Sequence, residues 1–215
     1  MDEILLVTRA VTRGSSYALV VGDMPFGSYQ HSVSLAVKNA ARFLKEGGVS
    51  AVKLEGGGVV QKQISKIVNF GIPVMGHVGL TPQSVNQFSG YSIQGKGVSS
   101  AQKILDDARA VEDAGAFAVV LECIPEELAQ KITSSISIPT IGIGSGKYCD
   151  GQIQVLNDIL GLDDDFSPRH SKKYLKLHDS ILSSLKKYNN EVINRKFPQK
   201  KNSIKYKVNI VDKLH

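Results

Sequence analysis

Ala51-Val52-Lys53-Leu54-Glu55 is a short apolar run that ends in charge, and it has counterparts elsewhere in the chain. Leu19-Val20-Val21-Gly22-Asp23 and Ala118-Val119-Val120-Leu121-Glu122 end in acids, and Pro73-Val74-Met75-Gly76-His77 ends in a histidine. One such run is an ordinary surface strand. Repeated around a parallel sheet, the pattern describes acids, a base and a cation gathered at one mouth of a β/α barrel. That mouth is where barrel enzymes keep their active sites. The pattern predicts an enzyme.

Working outward from these runs, apolar spacing predicts a helix over 2–13, a strand over 17–21 and a helix over 31–46 stopped by Gly47-Gly48. A strand at 50–55, a helix near 59–69 and the strand ending at His77 follow. The stretch from Leu80 to Gly97, rich in Ser, Asn, Gln and Gly, reads as an active-site loop. Then come a helix at 99–114, a strand at 116–122, a helix at 125–135 opened by Pro125, a strand at 138–143 and a further strand within 152–160. A basic helix closes the pattern. Strands alternating with helices imply a parallel sheet covered by helices, and strands this continuous in Val, Ile and Ala imply burial on both faces. Roughly six βα units are present by this reading, whereas a closed barrel needs about eight. The expected fold is therefore α/β, an incomplete (β/α)8 TIM barrel without its first two strands. The strands near 17–21 and 152–160 become its open edges. The expected organisation is a barrel body over 1–165, a basic helix over 166–198 packing on it, and a flexible Lys-rich tail over 199–215.

The charge is unevenly spread. The whole chain carries a net +6, but residues 1–165 carry −4 and residues 166–215 carry +10. The body is mildly acidic. The basic end, with Tyr174, Tyr188 and Tyr206, is compatible with phosphate binding, but the plain reading is a solvated helix and end. Two cysteines, Cys123 and Cys149, make no disulfide framework and suggest a reducing compartment. The start is acidic without an apolar core, unlike a signal peptide, and no apolar stretch approaches the roughly 20 residues of a membrane span. A cytoplasmic location is expected.

Lys53 and Glu55 lie two apart on one strand and so share a face. Charges directed into a barrel are costly unless they pair, bind a metal or meet a charged ligand; on a solvent-facing strand end the same two residues are a simple ion pair. Asp23 and Glu55 suit a hard cation such as Mg²⁺. His77 reads as a ligand, a hydrogen-bonding group or a core histidine. Glu122, deep in an apolar strand, is a candidate general acid or base unless a basic neighbour pairs with it. Gly142-Ile143-Gly144-Ser145-Gly146 lacks the spacing of a dinucleotide fingerprint, and a tight βα turn is the more economical account.

Several blocks resemble one family. They are Gly22-Asp23-Met24-Pro25-Phe26-Gly27-Ser28-Tyr29, Val52-Lys53-Leu54-Glu55-Gly56-Gly57 and Gly76-His77-Val78-Gly79-Leu80-Thr81-Pro82-Gln83-Ser84. Gly90-Tyr91 with Gln94-Gly95-Lys96, Leu121-Glu122-Cys123-Ile124-Pro125 and Ile141-Gly142-Ile143-Gly144-Ser145-Gly146 complete the set. In order and spacing they are similar to ketopantoate hydroxymethyltransferase over residues 3–198. The resemblance implies a β/α barrel that assembles into a homo-oligomer, a decamer in the family, and requires Mg²⁺. It implies transfer of a one-carbon unit from 5,10-methylenetetrahydrofolate to 3-methyl-2-oxobutanoate, giving 2-dehydropantoate for pantothenate biosynthesis. By motif, Asp23 and Glu55 are the expected metal ligands, Asp23 and Lys53 the substrate contacts and Glu122 the catalytic acid/base. His77 is expected to organise the site by hydrogen bonding.

The family also carries a Val-Gly-Asp-Ser motif on an earlier strand, whose Asp joins the metal shell and whose Ser holds the substrate carboxylate. No counterpart is visible here, because Val21-Gly22-Asp23 continues into Met24-Pro25-Phe26. The expectation is weakened metal and 2-oxo acid binding. The alternative function is a non-catalytic homologue that binds a partner, such as the oligomer of a full-length relative.

Overall fold

The computed structural model describes residues 1–87, 92–163 and 168–205. Gly90 and Tyr91 of the family-like blocks, part of the stretch expected as an active-site loop, and the tail residues from Tyr206 onward lie outside the described residues. Contacts divide the chain into two units, Met1–Ile153 and Gln154–His215.

The first unit opens with α1 (Asp2–Gly14), which carries Asp2 and Glu3 in its first turn and Arg13 in its last. Those charges complement the helix dipole. Leu5 and Thr8 form its buried face, while Leu6, Val7 and Val11 are exposed. Strand β1 (Val21–Asp23) follows, then α2 (Val33–Arg42). The Ser32 side chain caps α2 by accepting the Leu35 N–H at 3.2 Å. The helix expected over 31–46 keeps α geometry only to Arg42, widens to a π turn over Phe43–Gly47, and stops at Gly48, which takes φ 72°. Next come β2 (Ala51–Lys53), α3 (Gln61–Asn69), β3 (Val74–Gly79), α4 (Val98–Asp113), β4 (Ala118–Glu122), α5 (Glu126–Thr133), β5 (Thr140–Ile143) and β6 (Gly151–Gln152).

Among the described residues the six strands all pair in parallel and their spatial order equals the sequence order, β1-β2-β3-β4-β5-β6. A doubly wound sheet would reverse direction at a switch point. An unbroken order is that of a barrel wall. Among the described residues β1 and β6 stand at the two edges and do not pair with each other. The structure thus shows six parallel strands of an open barrel-type α/β sheet, not eight closed around an axis. The expected edge strands are also displaced. The first falls at Val21–Asp23 rather than 17–21, and within 152–160 only Gln152 is strand.

The two faces of the sheet differ, against the expectation of uniform burial. Val52, Leu54, Val74, Val119 and Leu121 point to the helices and are fully buried. On the inner face Ala51, His77, Ala118 and Val120 are buried as well, whereas Val21, Lys53, Met75, Ile141 and Ile143 are only half-buried. Helices approach the outer face closely at two glycines. A Cβ on Gly22 would collide with Phe43, and one on Gly76 with Val111. Their absence lets the α2 end and α4 lie flat on the sheet. The inner face, with the charged strand ends, is left for chemistry.

The second unit contains α6 (Leu156–Leu160) and α7 (Leu177–Ile193). Leu156-Asn157-Asp158-Ile159-Leu160 is helical where a strand was expected, because Gly161 at φ 60° terminates a turn of helix. No residue of α7 is buried, and Tyr188 packs edge-on against Phe197 with ring centroids 5.6 Å apart. No helix among the described residues is long and apolar enough to cross a membrane.

Candidate active site

Four consecutive strands each deliver one functional side chain to the same end of the sheet. Asp23 ends β1, Lys53 ends β2, His77 lies in β3 and Glu122 ends β4. Parallel register makes them neighbours: Asp23 sits opposite Lys53, and His77 opposite Val120 two residues before Glu122. Glu55 joins them just past β2. A backbone hydrogen bond from Gly56 N–H to the His77 carbonyl, 2.9 Å, holds that strand end beside β3.

Their polar atoms form a line across the sheet. Lys53 Nζ is 2.9 Å from Asp23 Oδ1, 3.2 Å from His77 Nδ1 and 3.7 Å from Glu55 Oε1. His77 Nδ1 is 3.8 Å from Glu55 Oε1, and His77 Nε2 is 3.2 Å from Glu122 Oε2. Burial is deepest at His77, in the middle of the line. The Asp23 side chain is 49% exposed, Lys53 17%, Glu122 14% and His77 3%. All five residues singled out by sequence therefore meet in one place.

Two further residues complete the setting. Tyr29 is buried, and its hydroxyl accepts the Glu55 N–H at 3.1 Å. The same hydroxyl lies 3.2 Å from the Glu55 carbonyl and from Gln83 Oε1. Gln83 N–H donates to Glu55 Oε2 at 3.0 Å, while its amide donates to the Met24 carbonyl at 2.9 Å. One oxygen of Glu55 is thus held from behind, and the other faces Lys53. Burial, reinforced by the Glu55 and Asp23 charges, keeps the Tyr29 hydroxyl protonated far above its ordinary range. It is a hydrogen-bonding strut and not a base. Sequence reasoning assigned neither residue a role. The available signals were a lone aromatic in a polar loop and Thr81-Pro82-Gln83 just after a strand.

The glycine-rich turn after β5 acts as a clamp. Ser145 is fully buried and donates to the Leu121 carbonyl at 2.7 Å, next to Glu122. Gly146, at φ 74°, packs against Glu126 of α5 where a Cβ would not fit. Cys123 follows Glu122 with φ 49°, a left-handed conformation uncommon for a side-chain-bearing residue. Its N–H donates to the Ile143 carbonyl at 2.9 Å, and its carbonyl accepts the Gln94 N–H at 2.8 Å. Burial, with the Glu122 charge behind it, pushes the Cys123 thiol up to about 11. It is a packing residue.

The donor set meets part of what Mg²⁺ needs. Among the described residues no group of three or more His, Cys, Asp or Glu is arranged to hold a metal. Asp23 and Glu55, however, each turn a hard oxygen donor to the same side of the site, beside the Lys53 ammonium with which both pair. Mg²⁺ commonly takes only one or two carboxylates and completes its shell with water and substrate oxygens. The two carboxylates fit that pattern. They do not form a closed protein cage.

The fold and this line of charged strand ends define a barrel-type α/β enzyme whose chemistry sits at the carboxyl ends of its parallel strands. The family follows from the comparisons: residues 1–200 match the family described as ketopantoate hydroxymethyltransferase, and the chain belongs to that family. The 3-methyl-2-oxobutanoate hydroxymethyltransferase of Clostridium botulinum (strain Loch Maree / Type A3) is 54% identical over 215 residues, covering 100% of this chain and 78% of that protein. The enzyme of the same name from Carboxydothermus hydrogenoformans is 53% identical over the same spans. Among solved structures, phosphonopyruvate hydrolase in complex with oxalate and Mg²⁺ aligns with a TM-score of 0.52 over 94% of this chain and 72% of that one. At 13% identity, that likeness shows the fold alone.

Proposed function

We propose that this chain transfers a hydroxymethyl group from 5,10-methylenetetrahydrofolate to 3-methyl-2-oxobutanoate, forming 2-dehydropantoate. The observation that carries the reading is the Asp23–Lys53–His77–Glu122 line, found at the strand ends of a chain that belongs to this family.

Glu122 takes the proton from the carbon next to the keto group of the 2-oxo acid. The electron pair of that C–H bond moves toward the keto oxygen and gives an enolate. Lys53 presents its ammonium at the charged centre and offsets the developing negative charge. The enolate carbon then attacks the one-carbon unit. Both carbon–nitrogen bonds from the folate to that one-carbon unit break, and water supplies the hydroxyl oxygen. Tetrahydrofolate leaves with its two nitrogens protonated, one proton being that taken up by Glu122 and the other coming from the water. Glu122 is held for this work on a strand end fixed by the Ser145 clamp. Asp23 and Glu55 would hold Mg²⁺, which when bound supplies Lewis-acid stabilisation of the charge on the keto oxygen. The Gln83 N–H holds the Glu55 carboxylate, and Tyr29 holds the Glu55 backbone, for that purpose.

We also read the protein as a homo-oligomer, supported by the exposed Leu6, Val7 and Val11 on α1. Size-exclusion chromatography with light scattering tests that reading, and a monomer at micromolar concentration refutes it.

The test of the main reaction is proton exchange. Incubated in D₂O with Mg²⁺ and without folate, the protein should exchange the C3 proton of 3-methyl-2-oxobutanoate, followed by NMR, and Glu122→Gln should stop it. With folate present, 2-dehydropantoate should form. Absence of exchange and of product would overturn the assignment. Magnesium or 2-oxo acid binding without turnover would instead support the non-catalytic reading.

A further inference from the structure

His77 is the most buried member of the polar line, and its two ring nitrogens face different partners. Nδ1 lies 3.2 Å from Lys53 Nζ. An ammonium has three donors and no acceptor, so this hydrogen bond runs from Lys53 to Nδ1. Nδ1 must then carry the lone pair, and the ring proton must sit on Nε2. Nε2 is buried from solvent and completes no hydrogen bond, although Glu122 Oε2 is 3.2 Å away. A buried donor without an acceptor is costly and calls for an explanation. Solvent does not reach it, and neither does a small substrate. The acceptor within range is Glu122, and a small turn of that carboxylate closes the bond.

We infer that His77 is a positioning residue: Lys53 sets its Nε2–H tautomer, and that proton holds one oxygen of Glu122 so that the other is presented to the substrate. This deepens the proposed proton abstraction and rests on it. The geometry divides the labour within one carboxylate. The oxygen facing His77 is occupied, and the oxygen turned away from it receives the C3 proton. Lys53 thereby acts at both ends of the site, beside the developing oxyanion and, through His77, on the base.

Two substitutions separate this role from a packing role. In His77→Gln the amide N–H₂ falls near the place of Nε2–H and still reaches Glu122. In His77→Asn it falls short, near the place of Nδ1. Expected in the D₂O exchange assay are a fall in the rate constant on the order of 100-fold for His77→Asn, a fall of about fivefold or less for His77→Gln, and KM for the 2-oxo acid within about twofold of wild type in both. Equal losses in the two variants, no loss in either, or a KM effect with unchanged rate constant would each overturn the inference. Where a variant fails to fold, the wild-type protein answers by imidazole ¹⁵N NMR, which should show His77 protonated on Nε2 with Nδ1 bare; a ring protonated on Nδ1 refutes the inference. Glu122→Gln in the same assay keeps the two questions apart. If Glu122→Gln retains exchange, the proposed reaction fails. If it abolishes exchange while the His77 variants behave alike, only the positioning role fails.

Discussion

Lys53 Nζ stands 2.9 Å from Asp23 Oδ1, so a half-exposed carboxylate on one strand is tied to an ammonium that reaches inward to His77 on another. The pair is the hinge between the solvent side of the site and its buried side. Pairing with Asp23, Glu55 and the His77 ring makes it tolerable to keep Lys53 at 17% exposure.

Replacing the ammonium separates binding from turnover. Lys53→Met leaves Asp23 and Glu55 without the cation with which both pair, and it leaves His77 Nδ1 without a donor. Mg²⁺ binding, measured by calorimetry, should tighten by on the order of tenfold as the competing charge is lost. The turnover rate should fall by about 10²–10³. The melting temperature should drop chiefly because Glu55 and the His77 Nδ1, both buried, lose their cationic partner, while the half-exposed Asp23 pair contributes about 1 kcal/mol or less.

Tyr29→Phe probes the support behind Glu55. It strips a partner from the buried Glu55 N–H and from Gln83 Oε1. Urea denaturation should show a loss of about 1–3 kcal/mol, the usual cost of unpaired buried groups. Mg²⁺ affinity should weaken at the same time.

Alkaline pH should destabilise the fold. The Cys123 thiol, ordinarily near 9.0, is raised to about 11 by burial, and the Tyr29 hydroxyl is raised from 10.0. Both groups hold their protons more tightly in the folded state. Their contribution is therefore fully present below the unfolded pKa and is lost as pH climbs from about 9 toward 11 and beyond. Denaturation midpoints measured from pH 8 to 11 should fall across that window. Cys123 should also resist iodoacetamide at pH 8, where little of it is thiolate.

Gly76→Ala tests the close helix approach. The new methyl would meet Val111 of α4, and overpacking of this kind costs about 1–3 kcal/mol. Because Gly76 adjoins His77, the exchange rate should fall with stability. Gly76→Ala/Val111→Ala should recover most of the loss in thermal melts.

By itself the sequence determined which residues share a face and which end of the sheet they occupy. Side chains alternate with period two along a strand, so Lys53 and Glu55 had to be neighbours, and the repeated charged termini had to gather at one mouth once the sheet was parallel. The family blocks added the identities of the groups. The tertiary structure decided what each group touches. Lys53 and His77 are separated by 24 residues, and Tyr29 and Gln83 by 54, so their contacts depend on strand register and loop closure, which no local period records. For the same reason the glycine-rich turn proved to be a clamp on Leu121 and Glu126. Continuous apolar strands read as buried on both faces, and the inner face is sealed only in part, with Ala51, Ala118 and Val120 buried and Val21, Met75 and Ile141 half-buried, because burial is set by what packs above a strand and not by the strand's own composition. His77 shows the division most clearly: its place at a strand end was legible in the sequence, but its tautomer follows from a lysine on the neighbouring strand.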